Sequence, residues 1–241
     1  MDDSSSSAAF FIPFVLFFLY THSVMKSRAI IFDLDGTLVD TIPLYEEAYL
    51  SMLASAGVGC DPDEFRSVYE KFRETYALNI HLSESLKLYG IPQTREEEMR
   101  RVRDAEYCEL VRTRVEWFPD AKRLLDALPA ATPKAIVTGS WQHFVDAIEE
   151  RLPLSQYIEV IVTSEEFRPH VKPDPAGLLI AAQKLRVPPQ DCVYVGDQEF
   201  DMEAARRAGM QACLIVREDY TPPRAEEKAD ICVHSLEELI N

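Results

Sequence analysis

Two aspartates two positions apart, Asp33 and Asp35, follow the apolar run Ala29-Ile30-Ile31-Phe32 and lead into Gly36 and Thr37. If the extended conformation continues past Phe32, alternation puts both carboxylates on the same side of the chain. Like charges so placed repel strongly. A divalent cation relieves the repulsion, and hard oxygen donors of this kind suit Mg²⁺. One carboxylate can then attack phosphorus while the other, kept protonatable, serves the leaving oxygen. The same residues also fit an ordinary surface turn, because Asp-Gly is among the commonest turn dipeptides. Their placement in the fold decides between the two.

The run Ala29 to Phe32 has the pattern of a strand buried on both faces of a parallel sheet. Further short, β-branched runs come much later: Ala135 to Val137, Ile158 to Val162, Cys192 to Val195, Ala212 to Val216, and Ile231 to Val233 as a sixth. Helix-period stretches lie between them, near 119–128, 141–151, 174–186 and 198–208, the last ending at Gly209 as a helix C-cap would. Alternating strand and helix predicts an α/β fold with a parallel sheet covered by helices on both faces. In such sheets ligands bind beyond the carboxyl ends of the strands. Asp33, Thr138 and Asp197 all fall at or just after strand ends. Residues 42–115 break the alternation: they hold no strand-like run and abundant helix formers, as in Glu64 to Ala77 and Arg95 to Arg114, with Gly57-Val58-Gly59, Asp61-Pro62 and Gly90-Ile91-Pro92 as punctuation. They predict an all-helical insert of about four helices.

At 241 residues the chain is long enough for a sizeable core. Its 41 acidic and 25 basic residues give a net charge of -16, which repels nucleic acid and anionic lipid at long range. An anionic metabolite meets the same field, so a local cation or a metal must offset it. Five widely spaced cysteines form no Cys-x-x-Cys pair and read as core thiols of a reducing compartment, Cys192, Cys213 and Cys232 being buried in apolar runs. Residues 1–24 are of another character. Thirteen uncharged residues, Ala8 to Tyr20, are short for a membrane span and match the apolar region of a signal peptide, but Asp2 and Asp3 precede them where a signal carries Lys or Arg. Met25 stands directly before Lys26-Ser27-Arg28 and is an alternative start. The extension is thus expected to lie outside the native domain. Membrane contact follows only if residues 8–20 are a real anchor, and the expected location is cytoplasmic.

Asp33 to Thr41 resembles the first motif of the haloacid dehalogenase superfamily, whose core is a Rossmann-like parallel sheet. Thr138-Gly139 resembles the second, whose hydroxyl binds the transferring phosphoryl group. Lys172-Pro173-Asp174-Pro175 resembles the third, whose lysine offsets charge on nucleophile and phosphate, and Gly196-Asp197 with Asp201 resembles the fourth, whose acids hold Mg²⁺. The resemblance covers roughly residues 28–241. It implies a core of residues 25–41 and 116–241 and a C1-type helical cap over 42–115. It also implies a Mg²⁺-dependent phosphatase of a small phosphorylated metabolite, monomeric or homodimeric. Asp33 would be the nucleophile, and Asp35 the acid and base. Asp33, the Asp35 carbonyl, Asp197 and Asp201 would hold the metal. Asp35 favours phosphate esters, since the superfamily's dehalogenases lack an aspartate there. The alternatives are a β-phosphoglucomutase-type mutase, whose fourth motif usually reads Glu-Asp, and a non-catalytic binding protein. Gln198 departs from the Ser or Thr often found at its position. Arg66, Lys71, Arg73 and Arg95 are possible contacts for a distal anion, or simply a solvated helix face.

Overall fold

Strand β1 (Ala29–Phe32) is buried along its whole length and sends Ile30 and Phe32 to one apolar cluster and Ala29 and Ile31 to another. That two-sided burial is why the run carries no polar residue. In this computed structural model, which describes residues 27–65, 67, 82–217 and 221–240, β1 lies inside a six-stranded sheet. β2 (Lys134–Val137), β3 (Val160–Val162), β4 (Cys192–Gly196), β5 (Gln211–Ile215) and β6 (Ile231–Val233) complete it in the order β3-β2-β1-β4-β5-β6, every pair parallel. The chain leaves β1 toward β2 on one side and later returns to β4 on the other. The crevice between β1 and β4 is therefore the topological switch point, where such sheets bind ligands. Phe32 is in register with Ile136 and with Val195, so Asp33, Thr138 and Asp197 emerge together at the carboxyl edge.

Helices cover both faces. One layer comprises α3 (Glu96–Arg114), α4 (Pro119–Ala127) and α5 (Gln142–Glu149), which supply Leu110, Leu124 and Phe144 to the first cluster. The other holds α7 (Ala176–Leu185) and α8 (Glu199–Ala208), which supply Leu178, Ala181 and Met202 to the second; α6 (Ser164–Phe167) adds Phe167. The predicted elements match to within about two residues at most ends, and Gly209 caps α8 with a φ of 74°. Cys192 and Cys213 are buried as expected, but Cys232 is exposed. It sits at the middle of the edge strand β6, where Ile231 and Val233 take the inward face and alternation turns residue 232 outward.

Between β1 and β2 the described residues hold no strand. α1 (Ile42–Ser55), α2 (Leu82–Leu88) and the first half of α3 share a third cluster built on Tyr49, Met52, Leu53, Phe65, Leu86 and Met99. Each such fully buried side chain contributes about 1.5–3 kcal/mol. The insert is not separate from the core, however, because Leu44 and Ala48 of α1 and Tyr107, Leu110 and Val111 of α3 belong to the sheet-side cluster. The helix expected over Glu64 to Ala77 falls mainly outside the described residues, as does the extension of residues 1–24.

Two local features fix the carboxyl edge. At Gly196 a Cβ would lie 2.5 Å from the Cβ of Asp201, so only glycine lets β4 run this close to the first turn of α8. Asp120, in the first turn of α4, accepts hydrogen bonds from Arg217 Nη1 (2.9 Å), the Leu236 amide (2.9 Å) and the Ala121 amide (2.9 Å). Arg217, its guanidinium 3.9 Å from the centroid of the Phe118 ring, uses Nη2 to donate to the Thr37 carbonyl at 2.8 Å. Burial opposes the Asp120 charge, but the bonds from Arg217 and Leu236 outweigh it and hold the carboxyl below the usual aspartate range.

Two outcomes follow. Gly196→Ala should cost about 2 kcal/mol in urea unfolding, while Gly59→Ala, where a Cβ meets nothing within 4 Å, should stay within about 0.5 kcal/mol. Asp120→Asn should cost about 2 kcal/mol at neutral pH. A depressed folded pKa gives stability above the ordinary aspartate value that is lost as pH falls through the folded one, so the gap between wild type and Asp120→Asn should narrow in acid unfolding series.

Candidate active site

Lys172 is the centre of the carboxyl-edge arrangement. Its Nζ lies 2.7 Å from Asp33 Oδ1 and 2.7 Å from Asp201 Oδ1, and the Tyr194 hydroxyl is 3.0 Å away. All four residues are buried, Lys172 with only 3% of its surface exposed. Burial works against the ammonium, yet the carboxylates of Asp201 and Asp33 outweigh it and hold the lysine well above its usual pKa. For Asp33 burial is the dominant influence and pushes its carboxyl well up; Lys172 opposes this, while Asp201, Asp197 and Asp35 add to it.

Tyr194 explains how the lysine is held. It stands two residues before the end of β4 and donates toward Asp201 Oδ1 at 3.1 Å, while its ring lies 5.6 Å from the ammonium. Asp201 is placed by local helix chemistry. As the third residue of α8 its carboxylate accepts the Gln198 amide at 3.1 Å, in a capping box with the Gln198 side chain.

Asp197 joins this group. Its Oδ1 accepts from Thr37 Oγ1 at 3.2 Å and its Oδ2 from the Gln198 side-chain amide. Gly36, with φ of 80°, turns the loop, and a Cβ there would come within 2.9 Å of Asp197 Oδ2. Carboxylate oxygens of Asp33, Asp197 and Asp201 all lie within 4.8 Å of one another. Lys172 sets a single positive charge against these three acids. The donor set is all oxygen and buried, and it suits a hard divalent cation.

Asp35 occupies a different environment. The assigned strand ends at Phe32, the Asp33 amide still donates to the Val195 carbonyl of β4 at 2.8 Å, and both aspartates line one cavity. The Asp35 carboxylate accepts hydroxyls from Thr41 (2.7 Å), Thr138 (2.9 Å) and Ser140 (2.8 Å) and stands apart from the three-acid cluster. Thr138, expected at the transferring phosphoryl group, is fully buried and turned to Asp35, and it accepts the Ser140 amide at 3.0 Å. Gly139 and Ser140 line the cavity itself.

This cavity, of about 310 Å³, lies between the sheet edge and the insert. Tyr45, Arg100, Arg103 and Tyr107 line it from the insert side, and Trp141, Phe144 and Arg168 from the core side. Among the arginines and lysine named for a distal anion, Arg66, Lys71 and Arg73 lie outside the described residues. Arg95 is paired with Glu98 at 2.9 Å and does not reach the cavity. Ser140, Tyr194, Trp141, Arg103 and Arg168 were not identified from sequence. Only Ser140 had a usable signal, a second hydroxyl two positions beyond Thr138 at a strand end.

The chain is similar to known proteins. The protein of Pseudomonas aeruginosa named phosphoglycolate phosphatase 1 is 29% identical over 217 residues, covering 88% of this chain and 78% of that one. The phosphorylated carbohydrates phosphatase of Thermotoga maritima is 30% identical over 223 residues, covering 89% and 97%. The crystal structure of CbbY from Rhodobacter sphaeroides in complex with phosphate shares the fold, with a TM-score of 0.70 at 22% identity over 88% of this chain and 96% of that one. The family profile described as haloacid dehalogenase-like hydrolase matches residues 30–215, and with the six-stranded parallel sheet and its carboxyl-edge acids this chain belongs to that family.

Proposed function

We propose that this protein is a Mg²⁺-dependent phosphatase of small phosphorylated metabolites. The observation that carries the reading is the division of two aspartates of one loop between two environments, Asp33 against the Lys172 ammonium and Asp35 against three hydroxyls, on the wall of one cavity. The ammonium beside Asp33 offsets the charge of a nucleophile, and the three hydroxyls hold Asp35 in place for proton transfer. The names of the relatives, which act on phosphoglycolate or phosphorylated carbohydrates, support the same substrate class.

In this reading Asp33 attacks phosphorus in line and holds the phosphoryl group as an aspartyl phosphate. Asp35 delivers a proton to the departing alcohol oxygen and then takes one from the water that releases phosphate. Lys172 offsets charge on Asp33 and on the phosphoryl oxygens, while Thr138 and Ser140 orient Asp35. Gly139 and Ser140 border the space for the phosphoryl group, and Thr138 reaches it only by releasing Asp35. Asp33, Asp197, Asp201 and the Asp35 carbonyl would hold Mg²⁺, which supplies positive charge to the transferring group. Residues 42–115 act as the cap that excludes water and selects the alcohol, over a core of 25–41 and 116–241.

A phosphate-release screen over phosphorylated metabolites should give turnover that requires Mg²⁺. Asp33→Asn should reduce it by a factor of about 10³ or more with the fold intact by circular dichroism; unchanged turnover would overturn the nucleophile assignment. Saturating Mg²⁺ should raise the unfolding temperature by about 5 °C or more, and Asp197→Asn should remove most of that rise. A wild-type protein whose melting ignores Mg²⁺ would count against the metal site.

A further inference from the structure

Four cationic side chains line the cavity, and three are already engaged. Lys172 is paired with Asp33 and Asp201, Arg100 with Glu96 at 2.8 Å, and Arg103 with Asp104 at 2.6 Å. Arg168 differs. Among the described residues no carboxylate pairs with it, and its guanidinium carbon lies 4.6 Å from the centroid of the Trp141 ring. Both residues come from loops at the carboxyl edge. Trp141 is the N-cap of α5 after β2, and Arg168 is the C-cap of α6 after β3. They stand on the same side of the cavity as Ser140 and Phe144.

A guanidinium laid on an indole face gains cation–π attraction while its donor edge stays open. Stacking also restricts the side chain before any ligand arrives, which lowers the entropy cost of binding. The planar fork matches a carboxylate or a phosphate, which can accept two of its N–H groups at once. In a chain of net charge -16, such a cation, with no carboxylate partner among the described residues, at the rim of an acid-lined cavity favours an anion. We propose that Arg168, held on Trp141, binds a second anionic group on the substrate, a carboxylate or a further phosphate, at the end away from the phosphoryl group that meets Asp33. This assignment rests on the phosphatase reading and narrows its substrate class to phosphate esters with two anionic ends.

Calorimetry on the whole protein with Mg²⁺ tests it, using three alkyl phosphonates of equal length that are not hydrolysed: one ends in a carboxylate, one in a second phosphonate and one in a methyl group. Wild type should bind at least one charged ligand more tightly than the methyl ligand by a factor on the order of ten to a hundred, and the stronger of the two identifies the anion. Arg168→Ala should erase that preference and leave the methyl ligand unchanged, with Arg168→Lys recovering part of it. Equal binding of all three by wild type, a preference that survives Arg168→Ala, or an equal loss on all three would overturn the assignment. Loss of the phosphatase reading is separately visible. A protein that binds as expected but releases no phosphate in the screen fails that reading alone, and one that turns over esters without any charge preference fails the Arg168 assignment alone.

Discussion

A lysine ammonium buried among carboxylates is costly unless its partners are in place, and the three closest oxygens around Lys172 come from three different parts of the chain: the end of β1, the middle of β4 and the first turn of α8. Moving any of these elements would strand a buried charge. The features around it answer to that requirement. Gly196 allows the close approach of strand to helix, the capping box fixes Asp201, and the parallel register brings β1 and β4 level. The ion cluster thus ties the local geometry of the edge to the topology of the whole sheet.

The same cluster accounts for the different surroundings of two aspartates from one short loop. Asp33 faces the ammonium and two further acids, a setting governed by burial and charge. Asp35, two residues later, faces three hydroxyls contributed by the loops after β1 and β2. Gly36, which follows both aspartates with a φ of 80°, turns the chain against Asp197.

Most of the sheet was readable because a strand buried on both faces has to be apolar, and an acid at its end then stands out. Asp33 and Asp197 are legible in that way, and Thr138, Lys172 and Asp201 through their resemblance to family motifs. Side chains whose role depends on a partner far along the chain gave no such signal. Tyr194 reads as one more apolar strand residue, and Arg217 and Asp120 as unrelated charges 97 positions apart. Trp141 and Arg168 meet only because β2 and β3 are neighbours. The exposure of Cys232 is not legible because a short apolar run does not say which of its faces meets the core. Arg95 offers the sequence only its charge, and a helix surface holds many charges that meet only water or each other, as Arg95 meets Glu98.

The Asp120 carboxylate has a consequence for the order in which the fold can be completed. Through it the Leu236 amide and the Arg217 guanidinium are joined, and Arg217 reaches back across 180 positions to the Thr37 carbonyl, whose own hydroxyl bonds Asp197. Contacts this distant in sequence form late, because closing so long a loop has to be offset by structure already made. The turn that follows Asp33 is thereby tethered, through Arg217 and Asp120, to the Leu236 segment, so loosening that distant segment weakens the support of the site as well as the fold.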